Sequence, residues 1–253
     1  MKNAILLLNL LLIFACQNLA EAQSNTQKSP NILYILVDQW RAQSTGYSGN
    51  EDVITPNLNR LAAESINLKN AVSGTPVCTP HRASLMTGQY PLTNGVFMND
   101  VLLDTNALTL PKVFNQNNYN TAFIGKWHLD GHGRNTYIPP TRQQGFAYWK
   151  TLECTHNYNN SVYYTGELNQ KKYWEGYDAA AQTEDVLSYL ERQSGSEKPF
   201  LLMLSIGSPH APYETAPAEF KKLYENKEIT LRENVPAALR EQVLKDTRGY
   251  YAH

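Results

Sequence analysis

Residues 76–88, PVCTPHRASLMTG, set a cysteine between two prolines, with an arginine one helical turn on. Pro76 discourages regular structure before Cys78, Pro80 suits a first helical turn, residues 82–86 can continue a helix and Gly88 can end it. Cys78 is therefore expected at a helix N-terminus, where free N–H groups and the helix dipole favour an anion and Arg82 adds a fixed cation. That setting suits a thiol nucleophile of lowered pKa, and it equally suits a bound sulfate or phosphate. Three other groups share one kind of position, the end of an apolar run. They are Asp38-Gln39 after PNILYILV, Lys126-Trp127-His128 after TAFIG, and Ser208-Pro209-His210 after PFLLMLSIG. Each has a plain alternative, since Asp38 can cap a turn, Lys126 can be solvated, and either histidine can be a hydrogen-bonded loop residue. Their common position is what favours a site.

The elements that must hold these residues are legible as alternating patterns. PNILYILVD, TAFIG and PFLLMLSIG are continuous apolar runs of strand length. Thr55-Pro56 followed by Leu58, Leu61 and Ala62 predicts an N-cap and an amphipathic helix, and TLPKVFNQNN and DAAAQTEDVLSYLERQ predict two more. Buried strands separated by helices predict an α/β fold with a mostly parallel central sheet sandwiched by helices. Ligands bind such sheets at the carboxyl ends of the strands, where the loaded residues fall. Residues 154–174, rich in Tyr and Asn, show no clear period and read as an elaborated loop near the site, and His253 falls inside a final helix.

The 253 residues are 42% hydrophobic and 18% charged with a net charge of -1, which fits one large globular domain and points away from nucleic acid. Sixteen tyrosines give a polar-aromatic surface suited to sugars. Residues 1–22 read as a signal peptide, with one Lys before an apolar run too short to span a membrane, and residues 23–29 as a flexible leader. Ile13-Phe14-Ala15-Cys16 offers a lipobox, with Cys16 as a membrane lipid anchor, and Ala20-Glu21-Ala22 offers an ordinary cleavage site. Either implies export to the periplasm, the medium or the bacterial cell surface. With Cys16 lost or lipidated, Cys78 and Cys154 remain, and a disulfide between them is the competing explanation of Cys78.

CTPHRASLMTG resembles the type I sulfatase signature C-x-P-x-R followed by a short helix and T-G, within the alkaline phosphatase superfamily. NYNTAFIGKWH resembles the second signature, with Asn118 where Gly is commoner, and SPHAPY resembles a third segment that carries a His. The resemblance runs from Pro30 to His253, so residues 30–253 are identified as the N-terminal part of a sulfatase catalytic domain of alkaline phosphatase-like fold. It implies that a formylglycine-generating enzyme converts Cys78 to formylglycine, whose hydrate attacks the sulfur of a sulfated saccharide or aryl sulfate. It further implies that Arg82 and His128 stabilise the formylglycine hydroxyls, that Lys126 binds sulfate, and that His210 contacts sulfate or protonates the leaving oxygen. One divalent cation, usually calcium, would be held by Asp38, Gln39 and residue 78, with Gln39 departing from the commoner Asp. Further metal ligands and a catalytic Lys are expected beyond His253, so the C-terminal part is missing and the chain as given is expected to be inactive. Two alternatives stay open: a phosphonate or phosphate monoester hydrolase of the same superfamily, and a non-catalytic sulfoglycan-binding fragment.

Overall fold

The computed structural model describes residues 29–253, and the signal-peptide, lipobox and most of the leader assignments lie outside them. Six strands make one sheet: β1 (Ile32–Val37), β2 (Asn120–Lys126), β3 (Tyr148–Leu152), β4 (Val162–Thr165), β5 (Leu168–Tyr173) and β6 (Phe200–Ile206). Their order is β1-β6-β2-β3-β4-β5; the first four in that order run parallel, and β4 and β5 are antiparallel additions at one edge. The helices are α1 (Pro56–Ala63), α2 (Cys78–Thr87), α3 (Pro91–Asn94), α4 (Leu110–Gln116), α5 (Asp178–Gln193), α6 (Ala218–Lys222) and α7 (Arg240–Tyr251). Among the described residues no helix is long and apolar enough to cross a membrane.

In β2 and β6 the continuous apolar runs have the expected cause: successive side chains point to opposite faces, and both faces are covered. Phe123, Leu201 and Met203 pack with Ala83, Met86, Trp127 and Trp149 on one face. Ala122, Ile124, Leu202 and Leu204 pack with Val186 and Tyr189 of α5 on the other. α2 and α4 therefore cover one side and α5 the other, the predicted sandwich. β1 is an edge strand and leaves Leu33 and Ile35 43% and 56% exposed.

Four local expectations need correction or refinement. The segment read as a loop contains the β4–β5 hairpin: Val162 and Tyr164 are buried, but β5 is almost wholly exposed and polar, so it lacks the alternation that marks a half-buried strand. Thr55 is the N-cap of α1 and its carbonyl accepts from the Asn59 N–H at 2.9 Å, but its hydroxyl makes no capping bond: it accepts from the Gly46 N–H at 2.8 Å and donates to Asn59 Oδ1 at 3.1 Å. His253 lies outside α7, where its ring meets the Tyr177 hydroxyl at 2.7 Å. Cys78 and Cys154 are both free thiols, which removes the disulfide.

α5 opens on a carboxyl group with a stability consequence. Asp178 is 1% exposed, takes a hydrogen bond from Ser161, and burial pushes its pKa up to about 7. The folded state thus binds this proton more tightly than the unfolded chain. The stabilisation is present below the unfolded value near 4 and is lost as pH rises through about 7. Asp178→Asn is expected to flatten that dependence, with a smaller fall in Tm between pH 5 and pH 8 than the parent shows. Glu153, also raised to about 7 by burial, keeps part of the slope in the variant. Parallel melting profiles for the two proteins would contradict the assignment.

Candidate active site

The carboxyl ends of β1, β2 and β6 converge on the start of α2. Asp38 follows β1 directly; its N–H donates to the Ile206 carbonyl at 3.0 Å, which pins it to the end of β6. Gln39 then takes a left-handed φ of 58°, turns the chain away and leaves its side chain exposed, while its carbonyl accepts from the Tyr250 hydroxyl at 2.9 Å. Cys78 is the first residue of α2, after an extended Val77, and Gly88 closes the helix at φ 68°, as its lack of a Cβ allows. The Thr79 N–H, one of the helix's free donors, is taken by Asn99 Oδ1 at 2.9 Å.

Four predicted residues come together here. The Cys78 thiol donates to the Asp38 carboxylate at 3.5 and 3.7 Å. Lys126, the last residue of β2, donates from its ammonium to Asp38 Oδ2 and lies 3.9 Å from Cys78 Sγ. Arg82, one turn along α2, donates from Nη1 to the Lys126 carbonyl and to Ser205 Oγ of β6, both at 2.7 Å. Its Nη2 lies 3.7 Å from Asp38 Oδ2 and is buried without a hydrogen-bond partner. Burial would raise the Asp38 pKa, but Arg82 and Lys126 outweigh it and hold the group at about 2. The Cys78 thiol behaves in the opposite way: burial pushes it up, and the Asp38 carboxylate supports that shift against the two cations. Of the two uses that the helix N-terminus allows, a lowered-pKa thiol is the one this pocket disfavours, because burial and the facing carboxylate outweigh the cations.

His128 and His210 are placed by the loops after β2 and β6. His128 is 2% exposed and carries a φ of 58°; its Nε2 meets Asp100 Oδ1 at 3.0 Å. Burial and the neighbouring Lys126 lower its pKa to about 4, so the ring is neutral through the physiological range. Glu153, just past β3, steadies the following chain by accepting the N–H groups of Leu129, Asp130 and Gly131 at 3.3, 2.8 and 3.1 Å. His210 uses Nδ1 on the Ala211 carbonyl at 2.9 Å and stacks on His156, with centroids 4.7 Å apart and planes 10° from parallel. It is tied to the cluster through its field at Asp38 rather than by a hydrogen bond.

Several neighbours escape sequence reasoning. Ser205 is the single hydroxyl in an apolar strand, a signal that could have been read. Arg134 and His156 follow no apolar run, Asn99-Asp100 follow only the three-residue Val96-Phe97-Met98, too short to read as a strand, and none matches a short motif. Cys154, 2% exposed, senses the same Lys126 ammonium.

The cleft beside this cluster has a volume of about 540 Å³ and is lined by Asp38, Gln39, Trp40, Cys78, His81 and Arg82 among others. As a cation site it is incomplete. Calcium takes about six to eight oxygen ligands, whereas Asp38 and Gln39 offer one carboxylate and one amide, and the carboxylate is already engaged by Lys126. Among the described residues no group of three or more His, Cys, Asp or Glu could hold a metal ion.

Comparison with known proteins agrees with this geometry. The sulfatase family model matches residues 30–252. An ulvan-active sulfatase of Formosa agariphila is 48% identical over 231 residues, covering 91% of this chain and 45% of that protein. Among solved structures, the protein described as sulfatase yidJ from Bacteroides fragilis superposes with a TM-score of 0.83 at 30% identity, covering 90% of this chain and 56% of that one. A protein solved with its substrate D-glucosamine-2-N,6-O-disulfate superposes with a TM-score of 0.72 at 27% identity, covering 82% of this chain and 40% of that one. The chain spans about half the length of the curated relatives it matches. With the family model spanning nearly all of the described residues, and a parallel sheet of alkaline phosphatase-like fold gathering Asp38, Cys78, Arg82 and Lys126 at one edge, this chain belongs to the sulfatase family.

Proposed function

We propose that the protein hydrolyses sulfate esters on a saccharide, with residue 78 as nucleophile after conversion of Cys78 to formylglycine. The observation that carries this reading is the placement of Cys78 at the opening of α2, 3.9 Å from the Lys126 ammonium and beside the Asp38 carboxylate. Once hydrated, formylglycine supplies one hydroxyl that attacks sulfur and a second whose deprotonation expels sulfate and restores the aldehyde. Asp38 is placed to accept a hydrogen bond from a hydroxyl on residue 78, where it now accepts from the thiol. Lys126 and the unpartnered Nη2 of Arg82 put two cationic donors in a buried pocket, where charge on sulfate oxygens is held more strongly than in water. Neutral His128 can accept a proton at a free ring nitrogen. His210 is the candidate to protonate the departing alkoxide.

The ulvan-active relative makes ulvan oligosaccharides the first substrate to test. The retention of Cys78, Pro80 and Arg82 together supports an enzyme over a binding fragment, because binding alone has no use for a convertible cysteine. A formylglycine-generating enzyme is the partner this reading requires. The apolar segment before Cys16 supports export, with Cys16 or Ala22 at the processing point. Asp38, Gln39 and residue 78 are the ligands this chain would offer a divalent cation, which would supply positive charge to polarise a bound sulfate. The test is inorganic sulfate release from ulvan oligosaccharides and from an aryl sulfate by this chain extended to the full length of its relatives and co-produced with a formylglycine-generating enzyme, with a phosphonate monoester as the competing substrate. Turnover of the phosphonate with none of either sulfate ester would sink the sulfatase reading.

A further inference from the structure

We infer that Asp100 and Arg134 act as a positioning relay that sets the tautomer of His128, so that its Nε2 carries the proton and its Nδ1 is left as the free acceptor of the site. The consequence for turnover rests on the sulfatase reading; the tautomer does not. Arg134 donates to Asp100 from Nη2 at 2.9 Å and from Nε at 3.3 Å, and Asp100 Oδ1 stands 3.0 Å from His128 Nε2. A carboxylate held by a guanidinium can only accept, so the imidazole must present N–H to it. The alternative tautomer would set a ring lone pair against a carboxylate lone pair at hydrogen-bond distance. His128 Nδ1 is buried with no partner in a side chain only 2% exposed, an arrangement that costs free energy unless a ligand or reacting group completes it.

The backbone bears on the same pair. Asp100 and His128 both adopt positive φ values, 62° and 58°, a region uncommon for non-glycine residues in which Asp and His are among the more frequent exceptions. The segment is also tied to the nucleophile's helix: Asn99 Oδ1 takes the Thr79 N–H, and the Asp100 N–H donates to Thr79 Oγ1 at 3.3 Å. Thr79 follows Cys78 directly, so the relay and residue 78 share one anchored backbone. The charged groups acting on His128 are Lys126 and Arg82, which disfavour imidazolium, and Asp100, which favours it, with Arg134 acting through Asp100.

The test is ¹⁵N NMR of the chain, with His128 assigned by comparison with His128→Gln, alongside kinetics of the converted enzyme. The parent should show His128 as the Nε2–H tautomer. Asp100→Gly keeps the left-handed backbone accessible but deletes the acceptor, and should give mixed tautomers and about 10²-fold lower kcat at unchanged KM. Asp100→Asn also tolerates that backbone and keeps an accepting oxygen, so it should recover the tautomer and most of kcat. With the carboxylate charge gone, its acid limb should move to lower pH. An Nδ1–H tautomer in the parent, or Asp100→Gly with parental tautomer and kcat, would overturn the relay. Absence of turnover in a converted parent extended to the full length of its relatives would count against the sulfatase reading instead, while the spectra would still decide the relay.

Discussion

Cys78→Ala is expected to abolish sulfate release, lowering kcat/KM by about 10⁵-fold or more, because losing a nucleophile removes the covalent route and leaves only binding and charge stabilisation. The fold should barely notice. Cys78 is only partly buried, and its thiol gives up one weak hydrogen bond to Asp38, a loss on the order of 1 kcal/mol at most. The two readouts, turnover and melting, should therefore separate cleanly in this variant. Mass spectrometry of the peptide containing residue 78 supplies the missing link, since parental activity should track the fraction converted to formylglycine. Residual turnover in Cys78→Ala, or activity in parent whose Cys78 is wholly unconverted, would show that another group attacks sulfur.

Arg82→Leu should damage both links at once. Arg82 is 3% exposed and holds three things together: the last carbonyl of β2, the Ser205 hydroxyl of β6 and the charge of Asp38. Leucine fills much of the volume but leaves two acceptors unpaired and Asp38 with one cation fewer. Breaking a buried charge pair from one side costs about 3–5 kcal/mol. For a domain of this size that corresponds to a Tm lower by roughly 6–20 °C. Turnover should fall by about 10²–10³-fold through the lost donor at Nη2. Arg82→Lys separates charge from geometry: an ammonium can keep Asp38 neutralised but cannot reach the Lys126 carbonyl and Ser205 with the same fork. It should recover more stability than activity. Arg82→Leu melting within 2 °C of the parent would mean that the hydrogen bonds drawn here contribute little.

The most legible parts of this protein were those in which a residue's neighbours in sequence are also its neighbours in space. The apolar runs within β2 and β6 follow from strands covered on both faces, whereas ILYILV becomes the edge strand β1 with Leu33 and Ile35 left exposed. Cys78, Pro80, Arg82 and Gly88 mark the start, first turn, inward cation and end of α2 because helix geometry links residues three or four apart. The hairpin of β4 and β5 was not legible, since β5 pairs through its backbone and leaves its side chains in water, so composition carries no trace of it. The charge state of Cys78 was not legible either. Helix position is compatible with a lowered pKa, but burial of the thiol, supported by the Asp38 carboxylate 40 residues away, raises it instead. The partners of His128 belong to the same class: Asp100 and Arg134 lie 28 and 6 residues away in sequence and meet it through loops whose left-handed backbones no local motif predicts. Sequence alone therefore determined which side chains stand at the ends of the strands, because hydrophobic periodicity and helix capping act over a few residues. Tertiary structure decided what those side chains touch, and so which are charged, because burial and Coulomb interactions depend on distance through space and not along the chain.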